Sequence, residues 1–428
     1  MKRIITLIFL LTAIALPAFG QYYSTQYRVP GQNWMELKSD HFRIVYPERY
    51  RSEAMRSLSI LEAEYGDVQD LIGGSLNQFP VILNPENDRS NGFVTSLNFR
   101  SEIELAPIRG KALSPRSGGW LESVLPHELV HALHFSVNPP ALTRILGLFS
   151  PDMRRSVHGA APAGFLEGIA VQYESHGTLP HSGRGNYPYF NNQFNALLGT
   201  DNEWSMGQLV HISDFTLPFN RHYIGGYQFV NWLQETYGDD TFKEAVRKHY
   251  KYPFLGFGIT LRSVTGEWTG ELYRDFSRDV KAEEQERLSM LENETASLAA
   301  EVPFDATCRR MLRPDWLDNE TVLFYARSCN RPTGFYEYST QTGDIQLLRE
   351  VVLTEDADYS LSADRSSVVY SRYHADAIYD RIFRGDLHRL DTESGRSARM
   401  TKDLRLFSPA YDGRNLYAAH TNANRQVL

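Results

Sequence analysis

After its first twenty residues the sequence has no apolar run long enough to cross a bilayer, few cysteines and no excess of positive charge. A membrane-spanning helix needs about 20 consecutive apolar residues, so no later segment is expected to be transmembrane. The net charge is −8 and becomes −10 when Lys2 and Arg3 are removed with the N-terminal segment. Because an acidic chain is a poor partner for nucleic acid, we expect no nucleic-acid ligand.

Cysteine is almost absent, since only Cys308 and Cys329 occur, both in the C-terminal part. No cysteine lies near the N-terminal segment, so a lipid anchor there is not expected. An exported protein can keep a disulfide. The two residues therefore either pair or remain as free buried thiols, and the sequence leaves both alternatives open.

The N-terminus has the form of a targeting segment. Two basic residues precede an apolar run at residues 4–16, and the small-residue sequence AFG follows at residues 18–20. This order is typical of a secretory signal peptide, and the run is shorter than a membrane anchor requires. We expect residues 1–20 to be cleaved and the mature protein to be secreted or periplasmic.

The character of the sequence changes near residue 300, which predicts two domains, because about 400 residues exceed what one core usually supports. Residues 21–293 combine strand patterns with increasingly helical ones, residues 294–303 form a linker, and residues 304–428 contain short strands and turns. We therefore expect an α+β chain, with a mixed sheet and a helical subdomain followed by an all-β domain.

Particular segments carry this prediction. Strands are expected over MELKSDHFRIVYP, FPVILNP and FRSEIELAPI, and a helix over RSEAMRSLSILEAEYGDVQDLIG that ends at Gly73 and Gly74. Further helices are expected over GGYQFVNWLQETYG, ended by Gly238, and over DDTFKEAVRKHY, capped by Asp239 or Asp240.

The all-β part contains a weak internal repeat, with turns at Asp318, Asp364 and Asp412 that each precede an apolar strand. Repeats of about 40 to 50 residues are typical of propeller blades. The repeats over residues 314–428 resemble the TolB-type β-propeller, and a β-sandwich is the alternative. Since propellers close with about 4 to 8 blades, two to three blades predict an incomplete ring within a longer protein. We expect this half to be the less stable one and the other half to survive proteolysis as a compact core.

The most specific chemical signal lies in LESVLPHELVHALHF, which contains His127, Glu128 and His131 in the order H-E-x-x-H. Residues four apart on an α-helix face the same side, so both imidazoles can bind one metal ion. Glu128 lies beside that face, where a carboxylate can take a proton from water. Pro126 is expected in the first turn of this helix. The motif predicts a zinc site with a general base.

A third ligand is expected on a second helix, in GFLEGIAVQYES. The two motifs together resemble the gluzincin metallopeptidases, the superfamily of thermolysin and the zinc aminopeptidases, whose second helix has a W-x-x-E-G-x-A-x-x-x-E context. The resemblance implies that Glu167 is the third zinc ligand and that Glu174 hydrogen-bonds a ligating histidine. The chain departs from the family pattern at Phe165 and in the long insertion between the two helices.

Other residues compete for these roles. His134 shares the helix face of His127, and His158 lies in the insertion. Either histidine is an alternative ligand, with packing as its other role. Glu174 is the alternative to Glu167 as the direct ligand.

Peptide hydrolysis also needs a hydrogen-bond donor for the oxyanion that forms. The segment RHYIGGYQFVNWL resembles the Y-x-x-G stretch of the aminopeptidases, which maps Tyr223 onto the catalytic tyrosine. Tyr227 and His222 are alternatives, because a small misalignment would exchange them. If this segment has no catalytic role, it is an aromatic-rich helix of the core.

The resemblance also implies that FRSEIELAPI is an open sheet edge that pairs with extended peptide, although it can equally be a core strand. We therefore expect an exported zinc metallopeptidase that acts on a peptide or protein. An endopeptidase is favoured, because no acidic cluster that would hold a free amino terminus is evident. The alternative is an envelope binding or scaffold protein whose propeller binds a protein partner and whose zinc domain is inactive or structural.

Overall fold

The computed structural model describes residues 28–109, 119–139, 142–177, 182–212, 218–292, 302–379, 381–412, 414–422 and 425–427. The expected signal peptide and residues 294–301 of the expected linker lie outside these ranges. Within them the chain is mixed α+β, as the sequence predicts, and it contains four sheets. None of the described helices has the length and apolar character that crossing a membrane requires.

One five-stranded sheet lies in the N-terminal half, with the order β1-β2-β3-β5-β4. Its strands are β1 (Trp34–Lys38), β2 (Phe42–Pro47), β3 (Phe79–Asn84), β4 (Gly92–Thr95) and β5 (Arg100–Glu104). The single strand predicted over MELKSDHFRIVYP is wrong, because a turn divides it into the hairpin of β1 and β2. In that turn the backbone N–H of Ser39 donates to the carbonyl of Phe42.

The strand in FRSEIELAPI exists as β5, but it is not the sheet edge. The short strand β4 covers it, with Gly92 opposite Ile103 and Thr95 opposite Arg100. The prediction missed β4 because four residues after a turn-rich segment show no clear alternation. The edge position therefore belongs to β4.

Most helices of the described N-terminal half share one hydrophobic core with this sheet. The helices of this half are α1 (Arg51–Ile72), α2 (Trp120–Ser136), α3 (Leu142–Gly147), α4 (Pro151–Arg155), α5 (Ala163–His176), α6 (Pro188–Asn195), α7 (Met206–Val210), α8 (Arg221–Tyr237), α9 (Thr241–Lys251), α10 (Phe257–Thr265) and α11 (Thr269–Glu292). The predicted ends of α1 and α8 are confirmed. Asp240 precedes α9, but its side chain makes no capping hydrogen bond.

Two of these helices, α5 and α8, approach each other closely. A Cβ on Gly168 would collide with the backbone of Gly226, and a Cβ on Gly226 would collide with the backbone of Gly164. Glycine allows this approach because it has no side chain. The contact brings the helix of Glu167 next to the helix of Tyr223.

The C-terminal half forms three antiparallel sheets from consecutive strands. The first sheet contains β6 (Arg310–Trp316), β7 (Thr321–Arg327), β8 (Gly334–Ser339) and β9 (Ile345–Glu350). The second contains β10 (Tyr359–Leu361), β11 (Ser367–Ala375), β12 (Phe383–Asp391) and β13 (Ser397–Arg399). The third contains β14 (Leu406–Tyr411), β15 (Leu416–Asn422) and β16 (Arg425–Val427). In the described residues no sheet closes into a barrel or propeller, so the propeller stays a prediction.

Cys308 and Cys329 are paired in a disulfide. This decides between the two alternatives that the sequence left open, a disulfide or two free buried thiols.

Candidate metal centre

Helix α2 carries the H-E-x-x-H motif into the interior. An apolar stripe of the helix is almost fully buried, at Leu121, Leu125, Leu129, Val130, Ala132 and Leu133. Pro126 lies two turns into the helix, so its expected place in the first turn is wrong. Proline has no backbone N–H, and the carbonyl of Glu122 therefore lacks a helical partner. The helix continues nonetheless, because its apolar face is held in the core.

Three atoms that could bind a metal ion meet between α2 and α5. Nε2 of His131 lies 3.2 Å from Nε2 of His127 and 3.2 Å from Oε2 of Glu167. Nε2 of His127 lies 3.4 Å from the same oxygen. A tetrahedral zinc ion with metal–ligand distances of about 2.0–2.1 Å separates its ligands by about 3.3 Å. The three atoms are thus spaced like three corners of a zinc coordination tetrahedron.

Glu174 contacts the other ring nitrogen of His127. Its Oε2 lies 3.1 Å from Nδ1, and Nη2 of Arg184 lies 3.0 Å from the same nitrogen. In the tautomer that is protonated at Nδ1, this nitrogen donates to Glu174 and the Nε2 lone pair is left for a metal. Arg184 donates to the second oxygen of Glu174 from Nε at 2.7 Å and from its backbone N–H at 2.9 Å. Glu174 therefore contacts the histidine that the sequence predicts as a ligand, and it is not itself part of the triangle.

The charges of this cluster suit a divalent cation. Burial and Arg184 disfavour the charged form of His127, yet hydrogen bonds to Glu167 and Glu174 raise its pKa to about 9. Burial opposes ionisation of Glu174, but the charge of Arg184 and the hydrogen bond from His127 lower its pKa to about 2. Burial likewise opposes ionisation of Glu167, whose pKa is held well below its usual value by His131 and His127. A metal ion would replace the proton that this raised pKa places on His127 and would leave the carboxylates ionised.

Glu128 lies beside the triangle and is buried, with 6% of its surface exposed. Its Oε2 has no hydrogen-bond partner in the described part of the chain. Its Oε1 approaches Gly92 of β4, where a Cβ would come within 3.1 Å of it. Burial raises the pKa of Glu128, although His131 and His127 act against the shift. A buried carboxylate with a free oxygen is suited to accept a proton.

Helix α8 brings Tyr223 to the same place. Its hydroxyl donates a hydrogen bond to Glu167, and burial raises its pKa well above the usual value, so the phenol stays protonated. The guanidinium of Arg184 lies 4.9 Å from the centre of its ring. Tyr227, one turn later, instead packs against Gly185. Tyr223 is therefore the tyrosine of this helix that is placed to donate at the site.

The competing histidines contact other groups. Nε2 of His134 lies 2.5 Å from the hydroxyl of Tyr250, and the ring of His158 packs 3.9 Å from the ring of the same tyrosine. His222 packs against the ring of Tyr223 and does not line the cleft beside the ligands. None of these three belongs to the ligand triangle.

The site opens into a cleft of about 370 Å³. Residues 90–92, α2, Arg184 and Tyr223 line it from the N-terminal half, and Glu355 lines it from the C-terminal half. Glu355 accepts a hydrogen bond of 2.6 Å from the hydroxyl of Tyr373. The sequence alone did not identify Arg184, Gly92 and Glu355, because they lie in a short 3-10 turn, at a strand end and in a loop and belong to no motif.

A comparison with protein-family models finds no match, and no curated protein matches the sequence either. The function is therefore inferred from the geometry of these residues.

Proposed function

We propose that this protein is a zinc-dependent peptidase of gluzincin type in which His127, His131 and Glu167 hold the metal. The observation that carries the proposal is the triangle of ligand atoms with sides of 3.2 to 3.4 Å. Structural zinc sites use four protein ligands, mostly including cysteine, whereas catalytic sites use three and keep one position open. Within the described ranges no further His, Cys, Asp or Glu joins the three, which favours the catalytic type.

The surrounding residues supply the remaining parts of a hydrolytic mechanism. When bound, zinc would polarise the scissile carbonyl and acidify a water molecule. Glu128 would take the proton of the attacking water and pass it to the leaving amine, and its burial would keep competing partners away. Tyr223 would donate to the oxyanion. Glu174 would keep His127 in the tautomer that presents Nε2.

The position of β4 supports a peptide as the substrate. Residues 90–92 line the cleft, and the outer side of β4 has no strand partner among the described residues. Extended peptides add to such edges through backbone hydrogen bonds. Export of the protein, and its action as an endopeptidase that cuts within a peptide chain, remain predictions from the sequence.

Metal analysis combined with a peptide-library cleavage assay tests the proposal. We expect one zinc per chain, and cleavage that stops on chelation and returns with added zinc. Zinc without cleavage of any peptide would favour the scaffold alternative, and a purified protein that takes up no zinc would exclude the proposal.

A further inference from the structure

Two loops on the N-terminal half expose large apolar side chains. In the first loop Leu148 and Phe149 are 83% and 73% exposed, and in the second Phe254 is 89% exposed. Single exposed apolar residues are common on soluble proteins, whereas a group of them marks an interaction site. We call the group the apolar patch, and its members are Ile145, Leu148, Phe149, Tyr252, Phe254 and Leu255.

The two loops lie side by side. Helix α3 of the first packs against α9, which leads into the second, and the turn Pro253–Leu255 packs against residues Ser156–Ala160. Leu142 and Leu146 of α3 pack against the core. The core-facing side of α3 therefore anchors the first loop and leaves its apolar tip outside.

The two segments that carry the apolar patch are rich in basic residues. Residues 142–160 and 241–259 contain seven Lys or Arg and two acidic residues. Both acidic residues have basic partners, since Asp152 pairs with Arg155 at 2.6 Å and Glu244 with Arg247 at 3.6 Å. This local positive charge contrasts with the net charge of −8 for the whole chain.

We propose that the apolar patch binds the surface of an anionic lipid bilayer. Its apolar tips would enter the boundary between headgroups and acyl chains, while the basic residues around them, Arg144, Arg154, Lys248 and Lys251, contact lipid phosphates. A symmetric contact with a second copy would bring the same basic residues opposite one another, and like charges repel. The charge pattern therefore favours a lipid surface over a dimer.

Sedimentation of the full-length protein with lipid vesicles tests this proposal. We expect binding to vesicles of equal parts phosphatidylglycerol and phosphatidylcholine, and much weaker binding to pure phosphatidylcholine. The double variant Leu148→Ser/Phe254→Ser should bind about 100-fold more weakly, because each buried side chain of this size contributes at least about tenfold. Its thermal unfolding should be unchanged, since both side chains lie outside the core. Lys251→Gln should weaken only the binding to anionic vesicles.

The matched control is Ile378→Ser, which changes a side chain that is 81% exposed but lies in the C-terminal half. It should bind vesicles like the wild type. Equal binding by the double variant and the wild type would overturn the proposal. So would a wild-type dimer that the double variant dissociates and that does not bind vesicles, because the apolar patch would then be a contact between copies.

Discussion

The carboxylate of Asp88 joins the two halves of the chain. Its Oδ1 lies 2.6 Å from Nε of Arg405, and its Oδ2 accepts the backbone N–H of Gly385 at 2.9 Å. Asp88 is completely buried and follows β3, a central strand of the N-terminal sheet. The same junction brings Glu355 into the cleft that His127 and Glu128 also line.

Replacing Asp88 with alanine should destabilise both halves together. The change leaves Arg405 largely buried without its partner, and breaking a buried ion pair in this way costs about 3–5 kcal/mol. Urea unfolding should show a lower midpoint, and limited proteolysis should cut the chain sooner. Asp344→Ala, at an exposed position in the C-terminal half, should change stability by no more than about 0.5 kcal/mol. An unchanged midpoint for Asp88→Ala would argue for two independent halves, as the sequence led us to expect.

Replacing Glu128 with glutamine should abolish hydrolysis and leave the metal in place. Glu128 is outside the ligand triangle, and general-base catalysis typically contributes about 10² to 10⁴ in rate. Zinc content and kcat on a cleaved peptide measure the two effects separately. Glu122→Gln is the control, because it lies on the same helix and pairs with Arg56 instead. Loss of zinc from Glu128→Gln would make Glu128 a ligand.

Removing the hydroxyl of Tyr223 should lower kcat and leave KM almost unchanged. An oxyanion donor acts mainly in the transition state and is worth about 10² to 10³ in rate. Steady-state kinetics of Tyr223→Phe provide the measurement, with Tyr227→Phe as the control one helical turn away. If only the Tyr227 variant is impaired, Tyr223 is not the donor.

The sequence predicted the cluster of His127, His131 and Glu167 because part of its spacing reflects a rigid helix. His127 and His131 are four residues apart, and any regular helix places them together. Glu167 and Glu174 share a second helix, so matching that helix to the family motif positions both residues. Residues that reach the site through tertiary packing give no such signal. Arg184 depends on how a loop folds back onto Glu174, and Glu355 depends on the junction at Asp88.

A substitution of Arg184 tests whether this residue, which the sequence did not identify, supports the site. Its hydrogen bonds fix Glu174, which in turn orients His127. Loss of such a supporting contact typically weakens metal affinity by about 10- to 100-fold. Competition with a chromophoric chelator should show this loss for Arg184→Gln, whereas Arg262→Gln, which removes a guanidinium stacked on Trp268, should bind zinc normally. Unaltered zinc affinity in the Arg184 variant would mean that Glu174 needs no such support.

The buried histidines near Tyr250 should make the protein sensitive to acid. Burial and the charge of His249 lower the pKa of His158 to about 3, and burial lowers the pKa of His249 to about 4. Both histidines have a pKa of about 6.5 when unfolded, so at lower pH the unfolded chain binds protons that the folded chain cannot. The stability that depends on these neutral histidines is therefore fully present above about pH 6.5, and it is lost as the pH falls towards about 4 for His249 and about 3 for His158.

Each histidine can contribute a slope of up to about 1.4 kcal/mol per pH unit in this window. Urea unfolding at about pH 7.5 and about pH 5, with saturating zinc, measures the difference. His158→Phe should reduce it, because the phenyl ring takes up no proton, whereas the exposed His211→Gln should leave it unchanged. If His158→Phe and the wild type lose the same stability between the two pH values, proton uptake by His158 on unfolding does not contribute to acid sensitivity.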